Sequence, residues 1–114
     1  MKKIFKNQFD SSFRSFRVPI PYGHTATVSI EFNRKISLDE ILNLIHYKKN
    51  IKYQNDPFFL EEAIGHDECF VSGIRKVPYS DNVIELIAMS DNLRLGAASN
   101  AVSIMDKIIK ANLI

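Results

Sequence analysis

Apolar residues recur at every second position from Thr25 to Phe32, and the alternation predicts a half-buried strand with Ala26, Val28, Ile30 and Phe32 on one side. Behind it the period changes. Leu38, Ile41, Leu42 and Ile45 form a helical stripe, and Ser37 and Glu40 stand at the two positions of a capping box, so a helix is predicted over 38–47. A brief strand at 51–53 leads to a turn at Asn55, Asp56 and Pro57. Two longer strands at 68–77 and 82–90 are split by a turn through Pro78, Ser80, Asp81 and Asn82.

The final segment is helical. Asp91 or Asn92 caps it, Leu93, Ala97, Ala101, Ile104, Met105 and Ile108 lie along it, and Lys107 and Lys110 near its end complement the helix dipole. Gly96, Ala97 and Ala98 make its first turns slim enough for another group to approach. Upstream of the first clear strand, residues 15–20 read as extended, because Pro19 and Pro21 push the residues before them toward the β region. Pro21, Tyr22 and Gly23 read as a bend. Residues 1–13 show no period and form a poorly ordered lead-in. Strand, strand, helix, strand, strand, strand, helix is the order of an α+β domain with a mixed, largely antiparallel sheet.

Length and composition narrow the class. With 114 residues, 46% hydrophobic and 25% charged, the chain has material for one small core. A net charge of +2 is too small and too scattered to argue for nucleic acid as a partner, and the densest basic clusters, Lys2, Lys3 and Lys6 and then Lys48, Lys49 and Lys52, read as solvated faces. No apolar run approaches the roughly 18–20 residues of a membrane span, and no apolar core follows the basic opening MKKIFKNQF as it would in a signal peptide. Cys69 is the single cysteine, which excludes an internal disulfide and a cysteine-rich metal site. No metal is expected, and a cytoplasmic location is.

The candidate chemistry sits in RVPIPYGH, residues 17–24. Arg17 and His24 are seven residues apart; an unbroken strand would set them on opposite faces and about 23 Å apart. The bend removes that separation and lets the two side chains converge. A guanidinium grips a carboxylate bidentately, and an imidazole moves protons near neutrality. On spacing alone the same residues also fit a surface arginine and a turn histidine.

Four segments, in order, resemble the aspartate-semialdehyde dehydrogenase family. RVPI, three residues and then HT resemble that family's RVPV and GHS, at the same offset. ISLDEILNLI resembles the helix that follows, NDPFFLEEAIGHDECFVSGIRK a later segment of the family, and SDNLRLGAASNAVSI its closing helix. The similarity runs from about Arg14 to the C-terminus. It implies the C-terminal dimerisation and catalytic domain of the glyceraldehyde-3-phosphate dehydrogenase-like fold, with helices on one face of the sheet and a closing helix at 92–112. It also implies NADPH-dependent reductive dephosphorylation of 4-phospho-L-aspartate to L-aspartate 4-semialdehyde, a step toward lysine, threonine, methionine and diaminopimelate.

Under that resemblance His24 matches the acid/base histidine, Arg17 the arginine that grips the substrate α-carboxylate, and Asn92 a position that contacts NADP near its nicotinamide end. The nucleophilic cysteine, a substrate-binding glutamine and the glycine-rich nucleotide loop belong to the portion that precedes such a domain, and Cys69 lies outside the nucleophile motif. The chain alone is therefore expected to be inactive and to need a homo-oligomer or a missing N-terminal half. Gly73 stands where the family has an arginine, and Leu95 where it has a lysine. The competing reading is a non-catalytic remnant that only dimerises or docks; a weaker one is the related reductase of N-acetyl-glutamyl phosphate.

Overall fold

The computed structural model describes residues 6, 8–56 and 58–113. Four strands form one sheet in the order β1-β4-β3-β2, where β1 is His24–Glu31, β2 Ile51–Tyr53, β3 Cys69–Lys76 and β4 Val83–Ser90. The β1–β4 and β4–β3 pairs are antiparallel and β3–β2 is parallel, which is the mixed, largely antiparallel sheet that the pattern predicts. Residues 15–20 join no strand. Pro19 deprives that stretch of a backbone donor, and the outer edge of β1 carries no neighbouring strand among the described residues.

Helix α1, Leu38–His46, starts where the capping box places it. The Ser37 hydroxyl accepts from the Glu40 amide at 3.2 Å, and the Glu40 carboxylate accepts from the Ser37 amide at 3.0 Å. Its apolar stripe turns inward: Ile41 packs with Ile36 and with Ile84 of β4, and Phe32, Leu38, Ile45 and Ile74 close around them. Ile84 is 0% exposed and anchors this cluster. A second cluster, Phe58, Ala63 and Phe70 with Met89, forms around a one-turn helix, α2 (Leu60–Ala63). Ile84 and Met89 are five residues apart in a regular strand, so alternation points them to opposite faces of the sheet.

Gly73 explains itself in β3. The register with β4 shifts between Ser72 and Arg75, and Gly73 sits in that bulge with φ +60°. An arginine there would hold a left-handed backbone at a cost of about 1–2 kcal/mol, which glycine avoids.

After β4 the chain makes a single π-helical turn, Arg94–Ala98, and then helix α3, Ser99–Lys110. The closing helix is thus shorter than 92–112 and opens irregularly. Arg94 forks onto Asp67 (Nε to Oδ1 2.9 Å, Nη2 to Oδ2 3.1 Å), and the Ser99 hydroxyl donates to the same carboxylate at 2.8 Å. Beyond that anchor α3 has no buried residue, and Ile104, Met105 and Ile109 are each about half exposed. Gly96, Ala97 and Ala98 are exposed as well.

The surface ion pairs set an acid limit on stability. The Arg94 guanidinium, foremost, and the Ser99 hydroxyl bring Asp67 from its ordinary 3.8 down to about 2; hydrogen bonding from Arg34, then from the Ser37 amide, brings Glu40 from 4.5 to about 2. A carboxylate whose folded value is depressed stabilises the fold fully above its ordinary value and loses that contribution as pH falls toward the folded value. Urea midpoints are therefore expected to stay flat above about pH 5 and to fall between about pH 4.5 and 2, with Asp67→Asn flattening that limb by a modest amount because the pair is exposed. A midpoint indifferent to pH over this window contradicts the assignment.

Candidate active-site bend

The bend is built from backbone constraint. Pro19, Pro21 and Tyr22 lie in bends, and Gly23 is buried with φ +99°, a conformation that L side chains rarely adopt. A Cβ on Gly23 would come within 3.0 Å of Leu60 Cδ1 and Cδ2 and of Ile64 Cδ1. Glycine is required there twice over, by φ and by the close approach of α2. A cleft of about 280 Å³ lies on the α2 side, lined by Ile20, Pro21, Tyr22, Leu60, Glu61 and Ile64.

The chain enters β1 immediately after this bend. His24 is the first residue of the strand, lies opposite Ser90 at the end of β4, and is exposed. Arg17 is exposed on the irregular segment upstream, and no hydrogen bond or ion pair joins it to His24 or Asn92 among the described residues. Neither Arg17 nor His24 lines the cleft.

Asp91 and Asn92 follow β4 directly, and their side chains divide the work that the sequence assigned to either. Asp91, 4% exposed, is the cap: its Oδ1 accepts from the Leu93 amide at 2.9 Å and from the Arg94 amide at 3.2 Å. Its Oδ2 accepts from the Gly65 amide at 2.9 Å, just past α2. The Gly65 amide is the main cause that lowers the Asp91 carboxyl below the ordinary range, and the amides of Leu93 and Arg94 add to it. Asn92 turns the other way. Its Oδ1 accepts from the Gly23 amide, 69 residues back in the sequence.

The structure thus brings His24 and Asn92 together through one intervening residue, and it leaves Arg17 at the far end of the bend. Two parts of this arrangement escape sequence reasoning. Helix α2 is a single turn, too short for any period; its one signal is Glu62, whose carboxylate accepts from the Phe59 amide at 2.8 Å. The Gly23–Asn92 bond has no local signature at all. Cys69 is half-buried at the start of β3, and burial raises its thiol, which suits a structural residue. Among the described residues no group of three His, Cys, Asp or Glu side chains is placed to hold a metal, and no helix is long and apolar enough to cross a membrane.

Residues 1–95 match the family described as Semialdehyde dehydrogenase, dimerisation domain. The chain belongs to that family. It is 38% identical over 114 residues to the aspartate-semialdehyde dehydrogenase of Rickettsia conorii, covering 96% of this chain and 34% of the relative. The Bacillus subtilis enzyme of the same name is 36% identical over 104 residues, or 86% of this chain and 30% of the relative. A crystal structure of aspartate semialdehyde dehydrogenase II from Vibrio cholerae, complexed with ASA, superposes with a TM-score of 0.76 at 29% identity over 82% of this chain and 29% of that one. The chain spans about a third of the length of these relatives. The bend, His24 and Asn92 all lie inside the stretch that matches the dimerisation-domain family.

Proposed function

We propose that the chain is the C-terminal part of an NADP-dependent aspartate-semialdehyde dehydrogenase, carrying the acid/base and substrate-gripping residues and relying on a separate portion for the nucleophile. The observation that carries this reading is the built bend: a buried left-handed glycine, locked under α2 and bonded to Asn92, that hands the chain into β1 at His24. A bend of that rigidity, set between a guanidinium and an imidazole, serves a site that must orient a small acid while a proton moves on it.

In this reading Arg17 binds the α-carboxylate of aspartate semialdehyde through its bidentate fork. His24 holds the proton that leaves or reaches the carbonyl oxygen as the thioester forms or is reduced. The attacking thiolate comes from outside this chain, since Cys69 is half-buried in the sheet. The residues present fit only the nicotinamide end of the cofactor. Asn92 is half-buried, its Nδ2 has no partner among the described residues, and the four glycines, at 23, 65, 73 and 96, are too far apart for a nucleotide-binding loop. NADP, when bound, supplies the hydride chemistry. The dimerisation-domain family supports a homo-oligomer, and the half-exposed apolar side chains of α3 are where the missing portion packs.

The test is complementation. The chain is mixed with the N-terminal portion of the Rickettsia conorii relative and assayed with aspartate semialdehyde, NADP and phosphate. Turnover is expected from the mixture and from neither component alone. Turnover by the isolated chain overturns the division of labour, and a stable complex without turnover favours the non-catalytic docking module.

A further inference from the structure

We propose that Asn92 is a positioning residue for His24, acting through the Gly23 backbone; this rests on the acid/base reading of His24. The Gly23 amide points out of a buried, left-handed bend one residue ahead of the strand, so no ladder partner is available to it: the pairing of β1 with β4 begins at His24 and Ser90. A buried amide in that position needs an acceptor, and Asn92 Oδ1 is the acceptor that the fold brings.

The mount that carries Asn92 is rigid. Its neighbour Asp91 is nearly inaccessible and fixes three amides, those of Leu93 and Arg94 ahead of the π-turn and that of Gly65 behind α2. Leu60 and Ile64, on and just after α2, are in turn the side chains that press on Gly23. Contacts therefore close a ring: Asp91 to Gly65, the α2 segment to Gly23, Gly23 to Asn92. His24 is the first side chain outside that ring. The Gly23 amide belongs to the Tyr22–Gly23 peptide plane, so a shift of that plane reaches the Cα–Cβ bond of His24 through Gly23, and among the described residues Asn92 is the one side chain that bonds that amide.

The arrangement uses only half of the asparagine. Its carbonyl faces Gly23, and its amide donors stay free among the described residues, so one side chain both fixes the His24 backbone and offers donors to whatever occupies the site. Seating a ligand against those donors and holding the histidine loop are then coupled events.

Asn92→Asp and Asn92→Ala separate the two halves. Aspartate keeps an acceptor for Gly23 and loses the donors; alanine loses both. Selective ¹⁵N-glycine labelling of the whole chain gives four amide signals, and the Gly23 signal reports directly. In Asn92→Ala, Gly23 amide exchange is expected to accelerate about tenfold or more, with the His24 ring resonances shifted and the β1 amides still protected. In Asn92→Asp, Gly23 protection is retained. In the complemented enzyme, Asn92→Ala is expected to lower kcat about tenfold or more, and Asn92→Asp to raise KM for NADP. Unchanged Gly23 exchange and His24 resonances in Asn92→Ala overturn the proposal. Should alanine unfold the sheet, the aspartate variant decides: loss of Gly23 protection with β1 intact overturns it, and retention supports it. Because exchange and resonances are read without turnover, a failure of the dehydrogenase reading itself leaves this result distinct.

Discussion

In the complemented enzyme, His24→Ala is expected to lower kcat by about 10²–10⁴-fold, the usual worth of a positioned proton donor and acceptor. KM for aspartate semialdehyde should change by no more than a few-fold, since the substrate carboxylate is assigned to Arg17. The size of the effect follows from position. His24 stands at the exposed entrance of β1, and its backbone is fixed on both sides, by the bend before it and by the pairing with β4 after it. A side chain held in this way pays little of the entropy of orientation at the moment of reaction. Steady-state rates of wild-type and variant chains, each with the same complementing portion, make the comparison. A His24→Ala enzyme within a few-fold of wild type removes the histidine from the chemistry.

The largest effect on stability is expected at Ile84. Replacing it by alanine should cost about 2–5 kcal/mol, read from urea midpoints, whereas Leu44→Ala on the same helix-and-sheet layer should cost far less. Ile84 has no accessible surface and is the point at which β4 meets Ile36 and Ile41; Leu44 is 61% exposed on the outer side of α1. A domain of this size has a total stability of about 5–15 kcal/mol, so the loss is a large fraction of what holds the sheet under α1. A cost below about 1 kcal/mol at Ile84 would mean that α1 is not packed as described.

Much of this fold is legible where local chemistry decides it. Ser37 and Glu40 satisfy each other across one turn, so the start of α1 can be placed to the residue. The alternation of 25–32 needs only a partner strand, and β4 supplies it in unbroken register. Legibility fails where the deciding contact is distant or the element is short. Residues 15–20 have the extended bias of a strand and remain unpaired, because Pro19 removes a donor and no strand lies beyond β1 among the described residues. The alternating face of β1 is only partly covered: Val28 and Phe32 are half-buried while Ala26 is exposed, and so is Ile30, although it lies opposite the fully buried Ile84.

The candidate site follows the same division. The bend at Pro21 and Gly23 can be read from residue types, because proline and glycine restrict or free the backbone wherever they stand. The roles of Asp91 and Asn92 cannot be separated from sequence, as either is a good helix cap. Only the return of the bend beside the end of β4 shows that Asp91 caps and Asn92 reaches Gly23. The π-turn that follows has no sequence signature, and its anchor to Asp67 spans 27 residues.

Under the proposed function, one bend presents a cationic fork and an imidazole to the same small acid. The most direct measurement is a crystal structure of the chain assembled with its complementing portion and aspartate semialdehyde. The result predicted is the Arg17 guanidinium paired with the α-carboxylate and the His24 ring within hydrogen-bonding distance of the carbonyl oxygen of that same molecule. A substrate bound with Arg17 and His24 on separate sides of the sheet, or touching neither, would contradict it.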